Sequence, residues 1–283
     1  MIEFYQLKQL VTVAKEGTLS KAADVLLISQ PGLTRAMQRL ENDLEMKLFD
    51  RKKNKITLND NGELAVKLAQ KVLEQREQMI KTLKSYENSK HTIHIGSSCP
   101  APIWELKDIF KEIYPNMKLS ETLDSDEEVL IAGLKSLEFS IIVLTHPIEN
   151  DNFKCIRLFD EQLYFSVPPA HPFSLFKEIS FDDINGESIL LLSRIGYWNE
   201  VCLKMIPQSH LLFQEEASVF DELTKASALP NFRSNLTIER DGKEDNRVAI
   251  PIIDQEASVT YYAIYHKKDK SIFDFLNEKF NQK

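Results

Sequence analysis

The stretch Ser29–Arg35 reads SQPGLTR, and it decides the fold of the N-terminal third because it contains the start signal of a helix. Ser29 is a good N-cap residue, and Pro31 fits the first turn, where a missing backbone N–H costs nothing. Apolar side chains then recur at spacings of three and four, which predicts a helix over about 30–45 with one buried stripe. The stripe consists of Leu33, Met37, Leu40 and Leu44. The opposite face is polar and carries Gln30, Thr34, Arg35, Gln38 and Arg39.

Two shorter helical patterns precede this helix. The first spans residues 3–16 and ends at Gly17, and the second starts after a cap at Thr18 or Ser20. Two helices joined by a tight turn, the second with a Gln-, Thr- and Arg-rich face, are the layout of a helix-turn-helix. Gln can bond adenine and Arg can bond guanine in the major groove, while Ser and Thr can hold phosphate. Taken alone, the same face is equally compatible with a helix surface that only meets water.

The next segment predicts a β-hairpin wing. Leu48 and Phe49 are apolar anchors, residues 50–55 form a basic turn, and Ile56–Leu58 alternate like a short strand. A charge run is usually a solvated loop. Directly after a recognition helix, however, a basic hairpin favours contact with DNA phosphates.

These stretches together resemble the winged helix-turn-helix of the LysR-type transcriptional regulators over about residues 3–65. The matching segments are GTLSKAA at 17–23, SQPGLTR at 29–35, RLE at 39–41 and LFDR at 48–51. The resemblance implies a sequence-specific, non-enzymatic transcription regulator. It also implies that one set of side chains contacts DNA from the recognition helix and the wing. That set is Ser29, Gln30, Pro31, Thr34, Arg35, Gln38, Arg51 and Lys52.

Three positions depart from the usual pattern of this family. Gly32 replaces a small helix-forming residue, which should cost about 1 kcal/mol in helix propensity. Glu45 stands where the family has a glycine at the end of the recognition helix, and Asn59 replaces a threonine that caps the next helix. Asn caps a helix as well as Thr does. None of the three changes removes a residue that is expected to face DNA.

Length, composition and charge bound the remaining architecture. A chain of 283 residues with 43% apolar and 28% charged residues predicts two or three globular domains. The sequence shows no long apolar span, no signal-peptide pattern and only three widely spaced cysteines, so we expect a cytoplasmic protein. Residues 1–90 contain 16 basic and 12 acidic side chains, whereas residues 91–283 contain 19 and 31. This asymmetry favours a DNA-binding domain at residues 1–59, joined to an acidic body.

The linker, residues 60–90, predicts one long helix over 60–87 followed by a hinge at 88–90. Its single apolar stripe consists of Leu64, Leu68, Val72, Met79, Leu83 and Tyr86. Such a stripe must be buried against something, and the preceding domain is already complete, so pairing with a second chain is favoured over packing onto its own domain. The family resemblance implies a homodimer through this helix, assembly into a tetramer, an interrupted palindrome as the double-stranded DNA site, and contact with RNA polymerase.

Residues 91–283 change to an α/β pattern, for which we predict a parallel sheet in two subdomains. Subdomain I is expected at 91–161 and 266–283, and subdomain II at 162–265, with strands that include 232–237 and 258–265. This layout resembles the periplasmic-binding-protein-like effector domain of the same family. The glycine-rich stretch that the family has after the last crossover helix is missing, and Lys225–Pro230 stands there instead.

The effector, an unidentified small molecule, is expected in a cleft between the two subdomains, at the carboxyl ends of strands and at helix N-termini. By this rule the candidate effector-binding residues are Ser97, Ser98, Cys99, Thr145, Ser193 and Arg194. Arg194 has the geometry for a bidentate bond to a carboxylate. The acidity of this domain argues against a highly charged anion and leaves a small molecule with one carboxylate. For each residue the alternative is a loop side chain in water.

Other functions find less support in the sequence. No GxSxG, HExxH or P-loop motif occurs, and the six histidines lack metal-ligand spacing, so we expect no catalytic site, no metal and no cofactor. A thiol-based redox sensor is an alternative, but Cys202 is expected to be a buried helix residue. A ligand-independent DNA-binding protein is another, and it would differ only in having a filled cleft.

Overall fold

The computed structural model describes residues 1–52, 55–241 and 246–281. The chain divides into two compact units, Met1–Lys84 and Ser85–Lys283, and the division falls inside one long helix. Among the described residues, none of the helices combines the length and the apolar character that crossing a membrane requires.

The N-terminal unit is a helix-turn-helix with a hairpin and a long following helix. Its elements are α1 (Phe4–Glu16), α2 (Leu19–Val25), α3 (Gln30–Asp43), β1 (Phe49–Lys52), β2 (Lys55–Leu58) and α4 (Asp60–Ser89). The predicted caps are confirmed: Thr18 accepts a hydrogen bond from the Lys21 N–H at 3.3 Å, and Ser29 accepts one from the Gly32 N–H at 3.2 Å. The buried side chains of α3 include Leu33, Met37 and Leu40, as the apolar stripe predicts.

Helices α2 and α3 end in the same way, with a residue in the left-handed conformation. Leu27 has φ 55° and Glu45 has φ 54°. After α3, the N–H of Met46 bonds the Glu41 carbonyl and the N–H of Glu45 bonds the Asn42 carbonyl, which is the Schellman arrangement. Glycine is the usual residue at such a position because it lacks a Cβ. The family's glycine at position 45 therefore has a structural reason, and this chain adopts the same turn with a glutamate.

Asn59 starts α4 as predicted and also holds the preceding turn. Its side-chain oxygen accepts the Gly62 N–H at 2.9 Å, and its amide nitrogen donates to the Lys47 carbonyl at 3.0 Å. The Asn59 backbone N–H bonds the Leu48 carbonyl at 3.0 Å. The substitution of Asn for Thr thus preserves the cap and adds a contact to the segment before the hairpin.

The C-terminal unit alternates strands and helices. Its first half contains β3 (Thr92–Ser97), α5 (Pro100–Ile113), β4 (Lys118–Leu123), α6 (Glu127–Lys135), β5 (Ile141–Leu144) and β6 (Phe153–Val167). Its second half contains α7 (Phe181–Ile184), β7 (Ser188–Leu192), α8 (Tyr197–Met205), β8 (His210–Gln214), α9 (Ala217–Ala226), β9 (Asn231–Ser234), α10 (Asn235–Asp241), β10 (Val248–Pro251), β11 (Ser258–His266), α11 (Lys270–Phe273) and α12 (Phe275–Asn281).

The predicted parallel pairing of the first strands is confirmed, since β3 pairs in parallel with both β4 and β5. All four residues of β5 are fully buried. Ile141 and Val143 pack in one core cluster, and Ile142 and Leu144 pack in another. This strand is therefore covered on both faces, as its continuous apolar sequence indicates.

Two long antiparallel strands, β6 and β11, run through the middle of the sheet and join its halves. Residues 153–162 of β6 pair with β11, and residues 163–167 pair with β9 and β10. The last strand of the expected subdomain II, 162–265, pairs with the first half of the sheet, since Tyr262–Tyr265 lie beside β5. A strand this long belongs to both halves, so its sequence position alone does not assign it. We call β3–β5, β11, α5 and α6 subdomain I. We call β7–β10 and α7–α10 subdomain II.

The predicted strand 232–237 is wrong beyond Ser234, because α10 begins at Asn235. The Ser234 hydroxyl accepts the Thr237 N–H at 3.3 Å, and the Thr237 hydroxyl accepts the Ser234 N–H at 2.8 Å. This reciprocal pair satisfies two backbone donors at a helix start. The cap therefore ends the strand and starts a helix within the predicted range.

Candidate DNA-reading helix and ligand cavity

Helix α3 presents most of the predicted DNA-reading residues on its outer face. Ser29, Gln30, Pro31 and Arg35 are exposed, whereas Thr34 and Gln38 are half-buried. Two of these side chains also bond the preceding turn of the helix. The Thr34 hydroxyl donates to the Gln30 carbonyl at 2.9 Å, and Arg35 Nε donates to the Pro31 carbonyl at 3.3 Å. The face thus offers an exposed amide and guanidinium beside half-buried polar groups.

The wing follows α3 as an antiparallel hairpin in which Phe49 pairs with Leu58 and Asp50 with Thr57. The backbone of Arg51 and Lys52 lies in β1. Their side chains, and residues 53–54 at the tip, lie outside the described residues, so phosphate contact by Arg51 and Lys52 stays a prediction.

A buried carboxylate that the sequence reading missed connects α3 to the wing. Glu41 is 2% exposed, and its Oε1 accepts the N–H of Leu48 at 2.9 Å and of Phe49 at 3.3 Å. Lys47 Nζ lies 3.7 Å from the other carboxylate oxygen. Charge-assisted bonds to backbone N–H groups are among the stronger hydrogen bonds in proteins. Glu41 therefore sets the direction in which the hairpin leaves the recognition helix.

The first group of predicted effector residues, Ser97, Ser98 and Cys99, is buried rather than open to a ligand. Ser97 donates to the Cys99 carbonyl at 2.7 Å, and Ser98 bonds the Val143 carbonyl. The Ser98 carbonyl in turn accepts the Tyr197 N–H at 2.9 Å. Subdomain II therefore contacts this loop directly, and both serine hydroxyls already bond backbone carbonyls of the chain.

The other predicted effector residues lie at strand ends, but they also have protein partners or face solvent. Thr145 donates from its N–H and its hydroxyl to Glu127, at 3.0 Å each, and His146 Nδ1 lies 2.8 Å from the same carboxylate. The Ser193 hydroxyl donates to the Gln214 carbonyl at 3.2 Å, and Arg194 is exposed.

A cavity of about 760 Å³ lies elsewhere between the two subdomains. Its lining residues come from α5, β6, β7, α8, α9, β9 and α10, and none of the six predicted effector residues is among them. The lining includes Trp104, Glu161, Trp198, Ala217, Phe220, Asp221, Thr224, Lys225, Asn231, Arg233, Thr237 and Arg240. Sequence reasoning missed them because strand-end rules select loop residues, while most of this lining lies on helices and on the crossing strand.

Glu161 lies where β6 passes from one subdomain to the other, and it is 4% exposed. Its Oε2 accepts Trp198 Nε1 from α8 at 2.9 Å and the Tyr261 hydroxyl from β11 at 2.5 Å. Tyr261 sits at a bulge between Thr260 and Tyr262, and a bulge redirects a side chain. Burial raises the pKa of the Tyr261 phenol well above its ordinary value, so the hydroxyl stays protonated and donates.

The segment that replaces the family's glycine-rich stretch is held by Arg247. Its guanidinium donates to the Thr224 carbonyl at 3.0 Å, to the Leu229 carbonyl at 2.6 Å and to the Ser166 carbonyl at 3.0 Å. These bonds satisfy the carbonyls at the end of α9 and hold residues 225–230 beside the cavity. A cavity therefore exists here without the glycines.

The cysteines show no sign of a reactive thiol. Cys99 and Cys202 are fully buried, and Cys155 is half-buried. Burial raises the pKa of the Cys99 and Cys155 thiols and raises that of Cys202 to about 12. A redox-sensing thiol needs the opposite, an exposed group with a lowered pKa. Within 1–52, 55–241 and 246–281, no cluster of three or more His, Cys, Asp or Glu side chains could hold a metal ion.

The chain matches two family models. Residues 4–63 match the bacterial regulatory helix-turn-helix protein of the lysR family, and residues 88–220 match the LysR substrate binding domain. The first match covers α1–α3, the hairpin and the start of α4. The second covers all of subdomain I before β11 and most of subdomain II, and it ends before Asn231, Arg233 and Arg240.

Curated proteins of Bacillus subtilis strain 168 are similar to this chain. The uncharacterized HTH-type transcriptional regulator YybE is 29% identical over 226 residues, which is 76% of each chain. The regulator GltR is 28% identical over 66% of this chain and 63% of its own length, and the regulator CitR is 23% identical over 98% and 99%. All three are named as transcriptional regulators and none as an enzyme.

Solved structures confirm the predicted fold class. A full-length variant of OxyR from Pseudomonas aeruginosa has a TM-score of 0.53 at 21% identity, over 99% of this chain and all of that one. Full-length BenM has a TM-score of 0.51 at 20% identity, over 99% and 96%. With a helix-turn-helix and a substrate-binding domain matched in family order, this chain belongs to the LysR family of transcriptional regulators.

Proposed function

We propose that this regulator changes its affinity for a specific DNA site when a small-molecule effector binds in the cavity of its C-terminal unit. The observation that supports this proposal is the cavity itself. Its volume of about 760 Å³ lies within the roughly 300–1,000 Å³ that is usual for small-molecule sites. Subdomain I contributes α5 to the lining and subdomain II contributes α8–α10. A ligand that contacts both would favour one relative placement of the two subdomains, which is how binding can shift a conformational equilibrium.

We assign sequence-specific contact with DNA to a few side chains on the outer face of α3. Arg35 is suited to guanine, and Gln30 and Gln38 are suited to adenine. Arg35→Ala or Gln38→Ala should therefore weaken binding to the specific site by about 1–3 kcal/mol per lost base contact.

The test is fluorescence anisotropy with the DNA upstream of the protein's own gene, at two salt concentrations and with random DNA as competitor. Lys8→Ala, a change at an exposed residue of α1, is the control. It should leave the affinity for the specific DNA and the affinity for random DNA unchanged. Equal specific affinity for wild type, Arg35→Ala and Gln38→Ala would remove these residues from the reading face.

We assign the dimer interface to the apolar stripe of α4. In the chain by itself, Leu64, Leu68, Val72, Met79, Leu83 and Tyr86 are 44–62% exposed. A stripe of this size on a 30-residue helix favours pairing with a second copy, which would present two recognition helices to an interrupted palindrome. Assembly of two such dimers and contact with RNA polymerase are further parts of the proposal.

The dimer is tested by analytical ultracentrifugation of Leu68→Glu, with Lys71→Glu on the same helix as the control. We expect the first variant to be monomeric and to lose specific DNA binding, and the second to behave as wild type. A dimeric Leu68→Glu protein would place the interface elsewhere.

Control by an effector is tested by blocking the cavity. Ala217→Phe places a ring on a lining residue of α9, and Ala226→Phe places one on the same helix outside the lining. We expect a small-molecule extract of the source cells to change the DNA affinity of wild type and Ala226→Phe but not of Ala217→Phe. An equal change of DNA affinity in all three proteins would mean that the cavity does not control DNA binding.

A further inference from the structure

One wall of the cavity is polar and is built by β9 and α10. Asn231 and Arg233 are alternate residues of β9, and alternate residues of a strand project to the same face about 6.6 Å apart. Thr237 and Arg240 continue this wall from one face of α10. These residues lie beyond residue 220, where the match to the substrate-binding domain ends.

Asn231 lines the cavity with a buried side-chain amide, and only one of the two polar atoms of that amide has a hydrogen-bond partner in the protein. The residue is 1% exposed, and its Nδ2 donates to the Thr224 hydroxyl at 3.0 Å. Its Oδ1 is buried and has no hydrogen-bond partner in the described part of the chain. If the amide were turned over, the nitrogen would take that position instead, because Thr224 can either accept or donate. In both orientations one polar atom of Asn231 is left for a ligand.

The charges around the cavity favour a single negative charge on the ligand. Among the described lining residues, Lys225, Arg233 and Arg240 are basic, whereas Glu161 and Asp221 are acidic. Glu161 already accepts two hydrogen bonds from protein groups. The lining is thus slightly positive within a domain that is acidic as a whole. An anion with several charges would be repelled by the two carboxylates, while one carboxylate would pair with the basic wall.

Aromatic side chains also line the cavity. Trp104 on α5 faces the guanidinium of Arg240, which lies 5.1 Å from its ring centroid. Trp198 and Phe220 also line the cavity. Flat aromatic side chains favour a flat aromatic ligand because rings stack with offset or edge-to-face contacts.

We infer that the effector is an aromatic monocarboxylate with a hydrogen-bonding ring substituent. Its carboxylate would pair with Arg233 and Arg240, its substituent would reach Asn231, and its ring would lie against Trp104 and Trp198. This inference rests on the proposed function, since it names the class of ligand for the same cavity.

The minimal probe is 4-hydroxybenzoate, which has one ring, one carboxylate and one hydroxyl. Three comparison compounds each lack one feature or more: benzoate lacks the hydroxyl, 4-hydroxybenzyl alcohol lacks the carboxylate, and cyclohexanecarboxylate lacks the aromatic ring and the hydroxyl. Binding to the full-length protein is measured by calorimetry and by tryptophan fluorescence. The chain has two tryptophans, and both line the cavity, so fluorescence reports this site. We expect 4-hydroxybenzoate to bind at least about tenfold more tightly than each comparison compound.

Variants test which residues hold the probe. Arg233→Gln and Asn231→Ala should each weaken binding of 4-hydroxybenzoate at least about tenfold. Arg157→Gln removes an exposed arginine that does not line the cavity and should leave binding unchanged. Three results would each overturn the inference: 4-hydroxybenzyl alcohol binds as tightly as the acid, none of the four probes shows saturable binding at millimolar concentration, or the probe binds equally to Arg233→Gln and Arg157→Gln.

The two proposals fail in different ways. If cell extract changes DNA affinity only when the cavity is open, but the four probes do not bind, the ligand class is wrong and control through the cavity stands. If 4-hydroxybenzoate binds as expected but neither it nor cell extract changes DNA affinity, the ligand class stands and control of DNA binding is wrong.

Discussion

Each unit contains a buried glutamate at its candidate functional site, and the two glutamates differ in where their hydrogen-bond partners come from. Glu41 in the N-terminal unit accepts backbone N–H groups seven and eight residues away. Glu161 in the C-terminal unit accepts side chains 37 and 100 residues away. The first joins a helix to the adjoining hairpin. The second joins two subdomains through a crossing strand.

The candidate functional surfaces of the two units also differ in how far apart their residues lie in the sequence. The predicted reading residues of the N-terminal unit lie on one helix of 14 residues and its cap. The described lining of the cavity is drawn from seven elements between Pro100 and Arg240. A site on one helix can be read from the helical repeat, because that repeat already determines which side chains share a face. A cavity between subdomains depends on how distant segments pack.

The largest expected effect comes from a change at the contact between subdomains. Gly196 has φ 58°, and a Cβ at this position would collide with the Ser98 carbonyl oxygen. Gly196→Ala should destabilise the C-terminal unit by about 3 kcal/mol or more, because backbone strain and a backbone clash add. Both tryptophans lie in this unit, so tryptophan fluorescence during urea unfolding reports it alone.

Gly186→Ala is the control for this effect. Gly186 also has a positive φ, of 112°, but no atom lies within 4 Å of the added Cβ. Alanine is strained at both positive φ values, so a larger loss in Gly196→Ala than in Gly186→Ala would point to the collision. Equal losses would mean that the contact at Ser98 adapts and that the two subdomains are not closely apposed there.

The next largest effect is expected at Glu41. Glu41→Ala leaves the N–H groups of Leu48 and Phe49 without their acceptor and should destabilise the N-terminal unit by about 2–3 kcal/mol. Loss of the wing orientation should also reduce DNA affinity. Far-UV circular dichroism should show an earlier helical transition, while tryptophan fluorescence should stay unchanged.

Asp43→Ala on the same helix is the matched control. Asp43 pairs with the N-terminal amino group of Met1 at 3.3 Å on the surface, so its loss should have little effect on stability. A shift of the tryptophan transition in Glu41→Ala would contradict the expectation that Glu41 stabilises only the N-terminal unit.

A smaller effect is expected at the end of the recognition helix. Glu45→Gly should stabilise the N-terminal unit by about 0.5–1 kcal/mol, because glycine removes the left-handed strain but adds freedom to the unfolded chain. Asn42→Gly, three residues earlier and inside the helix, should instead destabilise the unit by about 1 kcal/mol. Thermal unfolding followed by circular dichroism measures both, and stabilisation by neither or by both would argue against the assigned turn.

The smallest expected effect is a pH dependence of the C-terminal unit. Burial lowers the pKa of His94 below its ordinary value of 6.5, and its ring bonds the Glu138 carbonyl and the Thr122 hydroxyl at 3.0 Å each. Above the ordinary pKa, both folded and unfolded states hold a neutral ring. As the pH falls below it, the unfolded chain binds the proton first, so the free energy of unfolding should decrease.

His94→Gln should flatten this decrease, measured by urea unfolding at a series of pH values with tryptophan fluorescence. His210→Gln, at an exposed histidine, should keep the wild-type slope. The same slope in all three proteins would assign the pH dependence to other groups.

The sequence predicts local features of this protein well. The caps at Thr18, Ser29 and Asn59, the buried stripe of α3 and the fully buried strand β5 all follow from neighbours within a few residues. The predicted strand 232–237 is wrong in its second half because a reciprocal cap at Ser234 and Thr237 starts a helix there. The predicted effector residues obey a rule for strand ends, but packing covers Ser97–Cys99 with the segment at Gly196 and Tyr197.

The sequence by itself therefore determined the DNA-binding domain, its recognition helix and the alternation of strands and helices that follows, because capping and periodicity act over one or two turns of chain. Only the tertiary structure decided the position of the cavity, the role of Glu161 and the unmatched amide of Asn231. These depend on the shared register of β6 and β11 and on a bulge that turns Tyr261 inward. Such pairings join residues about a hundred positions apart, and no local pattern in the sequence specifies them.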